Sequence, residues 1–217
     1  MKVIIPYKKT NPKSRLSSIL TQKEREKFVE FMILDVIDNL NKAGIKNIDI
    51  LATGKINSIF ENKANIIISN LGLNDVINNY LEQVNEPVLI MMADLPLVTP
   101  SNIIEIISYD KDLIIAPGKG GGTNILFIKN PTSFYVKYYG ASFLTHVKIA
   151  NENSQSIEVY DSFFASTDID EPQDLVEIMI HGNGRSKSYL QKKFNMKFDN
   201  GRVYLKKPLE GFEPSTC

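Results

Sequence analysis

Residues 88–93, Val-Leu-Ile-Met-Met-Ala, are apolar without a break and lead directly into Asp94-Leu95-Pro96. A strand wetted on one face alternates apolar and polar residues. A run without alternation belongs to a strand covered on both faces, and such strands build parallel sheets flanked by helices. Shorter runs of the same character recur as VIIP at 3–6, IDILA at 48–52, IIIS at 66–69, LIIAP at 113–117, NILFI at 124–128 and IEVY at 157–160. Between them the period changes. Phe28, Val29, Met32, Ile33, Val36 and Leu40 recur at three- and four-residue spacing, which predicts a helix over 22–42. Thr21 and Glu24 form a capping box at its start, and Gly44 follows its end.

The same reasoning predicts a helix from Asn74 or Asp75 to Leu81, and one from Thr99-Pro100 through Ile107. Further helices are expected over 141–150, from Pro172 to about Ile180 with Asp170 and Gln173 as caps, and around 187–194. In MKFDNGRVYL, Asn200-Gly201 separates two alternating runs, which predicts a C-terminal β-hairpin. Strands alternating with helices give an α/β fold of three layers around a mostly parallel central sheet with right-handed connections. The 217 residues fit a single domain, 1–217, in which 185–217 is a basic appendage carrying the hairpin. Ligands of such sheets bind beyond the carboxyl ends of the strands, here just after residues 6, 52, 93 and 117.

Composition removes several classes of function. Twenty-five basic and 25 acidic side chains give zero formal charge, which argues against nucleic acid as a partner. The Tyr and Phe residues from 127 to 143 read mostly as core or cleft wall; they are not interleaved with a basic stripe, as a nucleic-acid stacking platform would require. One cysteine, Cys217, and two histidines exclude an internal disulfide and a structural zinc, and suit a reducing compartment. Apolar runs are too short to span a membrane, and Pro6 comes too early for a signal peptide, so a cytoplasmic protein is expected. The charge is nevertheless uneven. Residues 1–30 hold eight Lys/Arg against three Glu, and 185–207 hold eight against one Asp.

Four segments carry candidate chemistry. The loop after the first strand, Pro6 to Ser17, places Lys8, Lys9, Lys13 and Arg15 between a strand end and an amphipathic helix. Phosphate oxygens need N–H donors and positive charge in one concavity, and such loops provide both. Neither G-x-G-x-x-G nor G-x-x-x-x-G-K-[ST] occurs, so this is neither a dinucleotide fingerprint nor a P-loop. Asp94 follows the buried strand, where a rigid carboxylate suits a hard cation such as Mg2+. Gly118-Lys119-Gly120-Gly121-Gly122-Thr123-Asn124 is expected to bring backbone N–H groups close to a ligand. In Asp168-Ile169-Asp170, the two carboxylates share one side if the segment is extended, and could face one metal; Asp170 could equally cap the following helix. His146 lies mid-helix with no partner at metal-ligand spacing.

Taken in order, IPYKKTNPKSRLS, EREKFVEFMILDV, DLPL, GGGTN, YGASFLTHVKIA and DIDEPQDL resemble the 2-phospho-L-lactate guanylyltransferase family over roughly residues 1–180. The resemblance implies a nucleotide-diphospho-sugar transferase-like fold, that of the A-type glycosyltransferases. It implies transfer of GMP from GTP to 2-phospho-L-lactate in coenzyme F-420 (deazaflavin) biosynthesis. Lys8, Lys13 and Arg15 would hold the triphosphate, and Lys13, Arg15 and Asp94 would be the catalytic residues. Asp94, Asp168 and Asp170 would bind Mg2+, while Thr123, Gly140, Ser142 and His146 would bind the acceptor. Only Ala141 separates Gly140 from Ser142, where the family usually has a residue or two more.

Other readings share the scaffold: a phosphoenolpyruvate, 3-phosphoglycerate or molybdopterin guanylyltransferase, a cytidylyltransferase, or a sugar transferase. A non-catalytic nucleotide sensor would explain the lysines and glycines but would not need three carboxylates. The expected partners are GTP and 2-phospho-L-lactate, with no nucleic acid and no membrane. The oligomeric state is left open by the sequence, although the hairpin could add a strand across a two-fold axis and so make a homodimer.

Overall fold

The computed structural model describes residues 1–199 and 201–208. Asn200 of the expected turn, Cys217 and the end of the basic appendage lie outside the described residues. The strands are β1 (Lys2–Tyr7), β2 (Ile48–Ala52), β3 (Asn65–Ile68), β4 (Val88–Met91), β5 (Leu113–Pro117), β6 (Thr123–Ile128), β7 (Ile157–Val159), β8 (Asn195–Asp199) and β9 (Arg202–Lys206). The helices are α1 (Gln22–Lys42), α2 (Leu73–Glu82), α3 (Pro100–Ser108), α4 (Ser142–Glu152), α5 (Phe163–Ser166), α6 (Asp174–His181) and α7 (Arg185–Gln191). Of these, only the single turn α5 has no counterpart in the sequence pattern.

Local signals set the helix ends. Thr21 Oγ1 accepts from the Glu24 N–H while Glu24 Oε2 accepts from the Thr21 N–H, closing the capping box that opens α1. Thr99 and Asn102 do the same for α3, with Pro100 at its first position. The expected cap of α6 is different. Gln173 makes no side-chain cap, and Asp174 instead accepts from the N–H groups of Asp170 and Glu171, both at 2.8 Å. That leaves the Asp170 carboxylate free for other partners.

Seven strands form one sheet in the order β3-β2-β1-β4-β6-β5-β7. All pairings are parallel except those of β6, which runs against both β4 and β5. The physical reason is the length of the link. Only residues 118–122 join β5 to β6, and a parallel crossover needs roughly a dozen. The reversal matters for the site, because it brings the start of β6, at Thr123, to the same sheet edge as the ends of β1, β2 and β4.

The sheet is covered on both faces. Val3, Ile5, Leu89 and Met91 pack with Phe28, Met32 and Ile33 of α1, Ile103 of α3, Ile178 of α6 and Leu190 of α7. Ile4, Leu51, Val88, Ile90 and Leu126 pack with Ile77 and Leu81 of α2 and Ile149 of α4. Successive residues of β1 and β4 thus feed opposite cores, which is why their sequences do not alternate. The hairpin β8–β9 is a separate two-stranded sheet.

Candidate active site

The loop after β1 enters the cleft through two strained residues. Asn11 and Lys13 sit at φ 46° and 50°, a left-handed backbone that side chains other than glycine rarely adopt. Such strain persists only where the surroundings over-determine it. Here Arg25 of α1, 6% exposed, does so. Its Nε donates to the Pro12 carbonyl (3.1 Å), Nη1 to the Leu20 carbonyl (3.0 Å) and Nη2 to Asn11 Oδ1 (2.6 Å). Sequence reasoning missed Arg25. The available signal was its place three residues before Phe28, on the apolar stripe of α1, where a solvated arginine does not belong.

The loop's cations divide. Lys9 turns away to Glu30 at 2.8 Å. Lys8 is exposed beside the cleft. The Lys13 ammonium donates to Asp94 Oδ2 and, at 2.5 Å, to Asp170 Oδ1; Arg15 Nη1 reaches Asp170 Oδ2 at 3.2 Å. Burial alone would lower the pKa of Lys13, but the charges of Asp94 and Asp170 outweigh it and hold the pKa above its ordinary value. Lys13 therefore stays protonated. Asp170 also resists protonation: its desolvation is outweighed by Lys13, and its pKa falls below the usual carboxylate range.

The chain brings Asp168 to Asp94 by a backbone contact, the Ile169 N–H donating to the Asp94 carbonyl at 3.1 Å. Ile169 is buried, so Asp168 and Asp170 both face outward from the segment. Asp168 Oδ1 accepts from the Lys119 N–H (3.3 Å) and Asn124 Nδ2 (3.4 Å). Desolvation first, and then the neighbouring Asp94 charge, raise its pKa. The cleft, about 690 Å³, is lined by Lys8, Lys13, Arg15, Asp94 and Asp170 on its polar side and by Tyr139 at its rim. Tyr139 holds φ 82° and lines the cleft, in keeping with the reading of the 127–143 aromatics as core or cleft wall.

Asp94 Oδ1 is buried and has no hydrogen-bond partner. An orphaned carboxylate oxygen beside a second carboxylate of raised pKa is a place where added positive charge is favourable. The pair Asp94 and Asp168 thus fits a divalent cation that takes its other ligands from phosphates. Among the described residues, no three His, Cys, Asp or Glu side chains are grouped to hold an ion by themselves. Asp170, as placed, serves Lys13 and Arg15.

The glycine loop is built differently from the expectation. A Cβ at Gly118 would stand 2.2 Å from Asn124 Oδ1, so the close approach is to Asn124 itself. Asn124 uses that space to donate from Nδ2 to the Ala165 carbonyl (2.9 Å) as well as to Asp168. Gly120 and Gly121 supply left-handed turns. On the other side of β6, Thr123, Ser142 and His146 form one buried cluster. Ser142 Oγ lies 3.1 Å and His146 Nδ1 2.9 Å from Thr123 Oγ1, and His146 Nε2 accepts from the Lys137 N–H at 2.9 Å. His146 is fully enclosed, and burial lowers its pKa to about 4. It reaches a bound molecule indirectly, through Thr123 and through the 137–138 segment it holds. Gly140 lies at the entrance to α4, its carbonyl accepting from the Ser142 N–H.

Comparison with known proteins adds three findings. The model of the family described as "guanylyl transferase CofC like" matches residues 1–206. A 2-phospho-L-lactate guanylyltransferase of Methanosarcina barkeri is 55% identical over 205 residues, covering 94% of this chain and 99% of that one. One of Methanocorpusculum labreanum is 45% identical, covering 92% and 93%. Among solved structures, a provisionally named nucleotide-diphospho-sugar transferase of Desulfovibrio desulfuricans superposes with a TM-score of 0.71 at 13% identity, covering 88% of this chain and 95% of that one. A cytidylyltransferase of Leptospira borgpetersenii superposes at 0.55 and 12% identity, covering 88% and 90%. These structural likenesses establish the fold.

Proposed function

Because the chain belongs to the CofC-like guanylyl transferase family and is a nucleotidyltransferase, we propose that it joins 2-phospho-L-lactate to GMP taken from GTP. The products are lactyl-2-diphospho-5'-guanosine and pyrophosphate, in the cytoplasmic route to coenzyme F-420. The observation that supports this most directly is the meeting of Lys13, Arg15, Asp94, Asp168 and Asp170 at one sheet edge.

In this reading a phosphate oxygen of the acceptor attacks the α-phosphorus of GTP. The bond to the β-phosphate oxygen breaks, and pyrophosphate leaves with that electron pair. The nucleophile is already ionised near neutral pH, so no general base is needed. Two anions must meet in line, which makes orientation and charge the main obstacles. Lys8, Lys13 and Arg15 bind the triphosphate. Arg25 keeps the loop in the strained form that aims Lys13 inward. Thr123, Gly140 and Ser142 bind the acceptor. Asp94 and Asp168 would hold Mg2+ together with nucleotide phosphates, and the ion would offset charge developing on the α-phosphate and the leaving pyrophosphate.

The test is pyrophosphate release from each nucleoside triphosphate with 2-phospho-L-lactate and Mg2+, with phosphoenolpyruvate and 3-phosphoglycerate as competing acceptors. Release with GTP and phospholactate is expected. No release with any triphosphate overturns the reading, and preference for another acceptor reassigns the substrate.

A further inference from the structure

The buried cluster of Thr123, Ser142 and His146 has a fixed proton count. His146 Nε2 accepts from a backbone N–H, that of Lys137, at 2.9 Å. A backbone amide can only donate, so Nε2 carries no proton. With the ring neutral, as its enclosure and lowered pKa require, the proton is on Nδ1. Nδ1 therefore donates to Thr123 Oγ1, 2.9 Å away.

Thr123 and Ser142 have two hydroxyl protons between them. One is used in their mutual hydrogen bond at 3.1 Å, whichever way it runs. Because His146 donates rather than accepts, the other proton is not consumed inside the cluster. In the opposite tautomer Nδ1 would accept from Thr123, Thr123 would accept from Ser142, and both protons would be used. The ring itself offers nothing to a ligand, since both its nitrogens are occupied.

We propose that His146 is a positioning residue: its Nδ1–H tautomer, fixed by the Lys137 N–H, leaves one hydroxyl proton of the Thr123–Ser142 pair free to donate to an anionic oxygen of the phospho-acid acceptor. This rests on the acceptor-site reading given above. It also explains why a histidine without solvent contact stands beside a binding threonine. The hydroxyl pair alone could present either a donor or an acceptor, and the ring makes it a donor. An anion accepts hydrogen bonds and donates none.

Two measurements test it. In the wild-type protein, 15N NMR of the imidazole at pH 7 should show Nδ1 protonated and Nε2 bare. A protonated Nε2 overturns the proposal without reference to activity. The second compares His146→Asn with His146→Gln. The Asn amide nitrogen overlies Nδ1 and keeps a donor on Thr123; the Gln oxygen overlies Nε2, keeps the Lys137 partner and removes that donor. His146→Gln should raise the acceptor KM about tenfold or more and leave the GTP KM within about twofold, while His146→Asn stays within about threefold of wild type. Equal behaviour of the two variants, or a matching rise in both KM values, overturns the proposal and leaves His146 a packing residue. If the wild type releases no pyrophosphate with phospholactate, the function reading fails, and the tautomer measurement still stands by itself.

Discussion

Lys13 Nζ donates to Asp170 Oδ1 at 2.5 Å across 157 positions of sequence, and the same ammonium is held by Asp94. The cation of the phosphate loop is thus stored against two acidic groups before any triphosphate arrives. A triphosphate must compete for it, so the site is poised for exchange of partners.

Replacing Lys13 by Met removes the cation that joins Asp94 to Asp170. We expect kcat/KM to fall by about 10²-fold or more, the scale seen when a transition-state charge partner is removed. Asp94→Asn should cost a similar factor while GTP still binds. Steady-state kinetics with GTP binding measured separately checks both; unchanged turnover in either variant contradicts the assignment.

Removal of divalent cations by a chelator should abolish pyrophosphate release, and added Mg2+ should restore it. Asp168→Asn should raise the Mg2+ concentration needed for half-maximal rate. A chelator-resistant rate would rule out the metal role of Asp94 and Asp168.

Arg25→Met deprives the Pro12 and Leu20 carbonyls of their donor in a buried setting and the exposed Asn11 of a partner. Each unsatisfied group costs about 1–3 kcal/mol. If partial relaxation leaves a net loss of about 3 kcal/mol, Tm falls by roughly 6–12 °C for a chain of this size. The KM for GTP should rise as the loop relaxes from its left-handed conformation. Calorimetry and kinetics on the one variant give both numbers.

Gly118→Ala should be poorly tolerated. The new Cβ would fall 2.2 Å from Asn124 Oδ1 and displace the side chain that joins Ala165 and Asp168. Overpacking of this kind costs about 1–3 kcal/mol. Shortening Asn124 to Ala in the same chain should recover stability but not activity, which a double-mutant cycle measures.

Stability should fall with pH in a defined window. The folded-state pKa of His146 is lowered by burial to about 4, from 6.5 in an exposed ring. Between those values the unfolded chain binds the extra proton and the folded one does not. The stabilisation is therefore complete above about pH 6.5 and is lost as pH drops toward 4, by an amount of order 3 kcal/mol. Urea midpoints across that range, with His146→Phe as the flat control, check the sign.

Much of the fold is legible in short-range signals. The runs at 3–6, 48–52 and 88–93, the period of α1 and the two capping boxes are local, and local geometry reproduces them. The cap of α6 departs from the expectation because Asp170 and Asp174 both offer a carboxylate to the same turn, and only the placement of Lys13 and Arg15 decides which is drawn away. Arg25 escapes such signals because what it does depends on partners elsewhere in the chain.

What the sequence determined by itself was the set of elements and the sheet edge at which chemistry must lie, since periodicity and link length act over a few residues. The five-residue link that forces β6 antiparallel is of that kind. Tertiary structure alone decided that Lys13, Asp94 and Asp170 share one proton-rich contact, that Asp94 keeps a bare oxygen, and which nitrogen of His146 holds its hydrogen. Those outcomes depend on desolvation and on partners brought together by the fold, and no spacing rule encodes them.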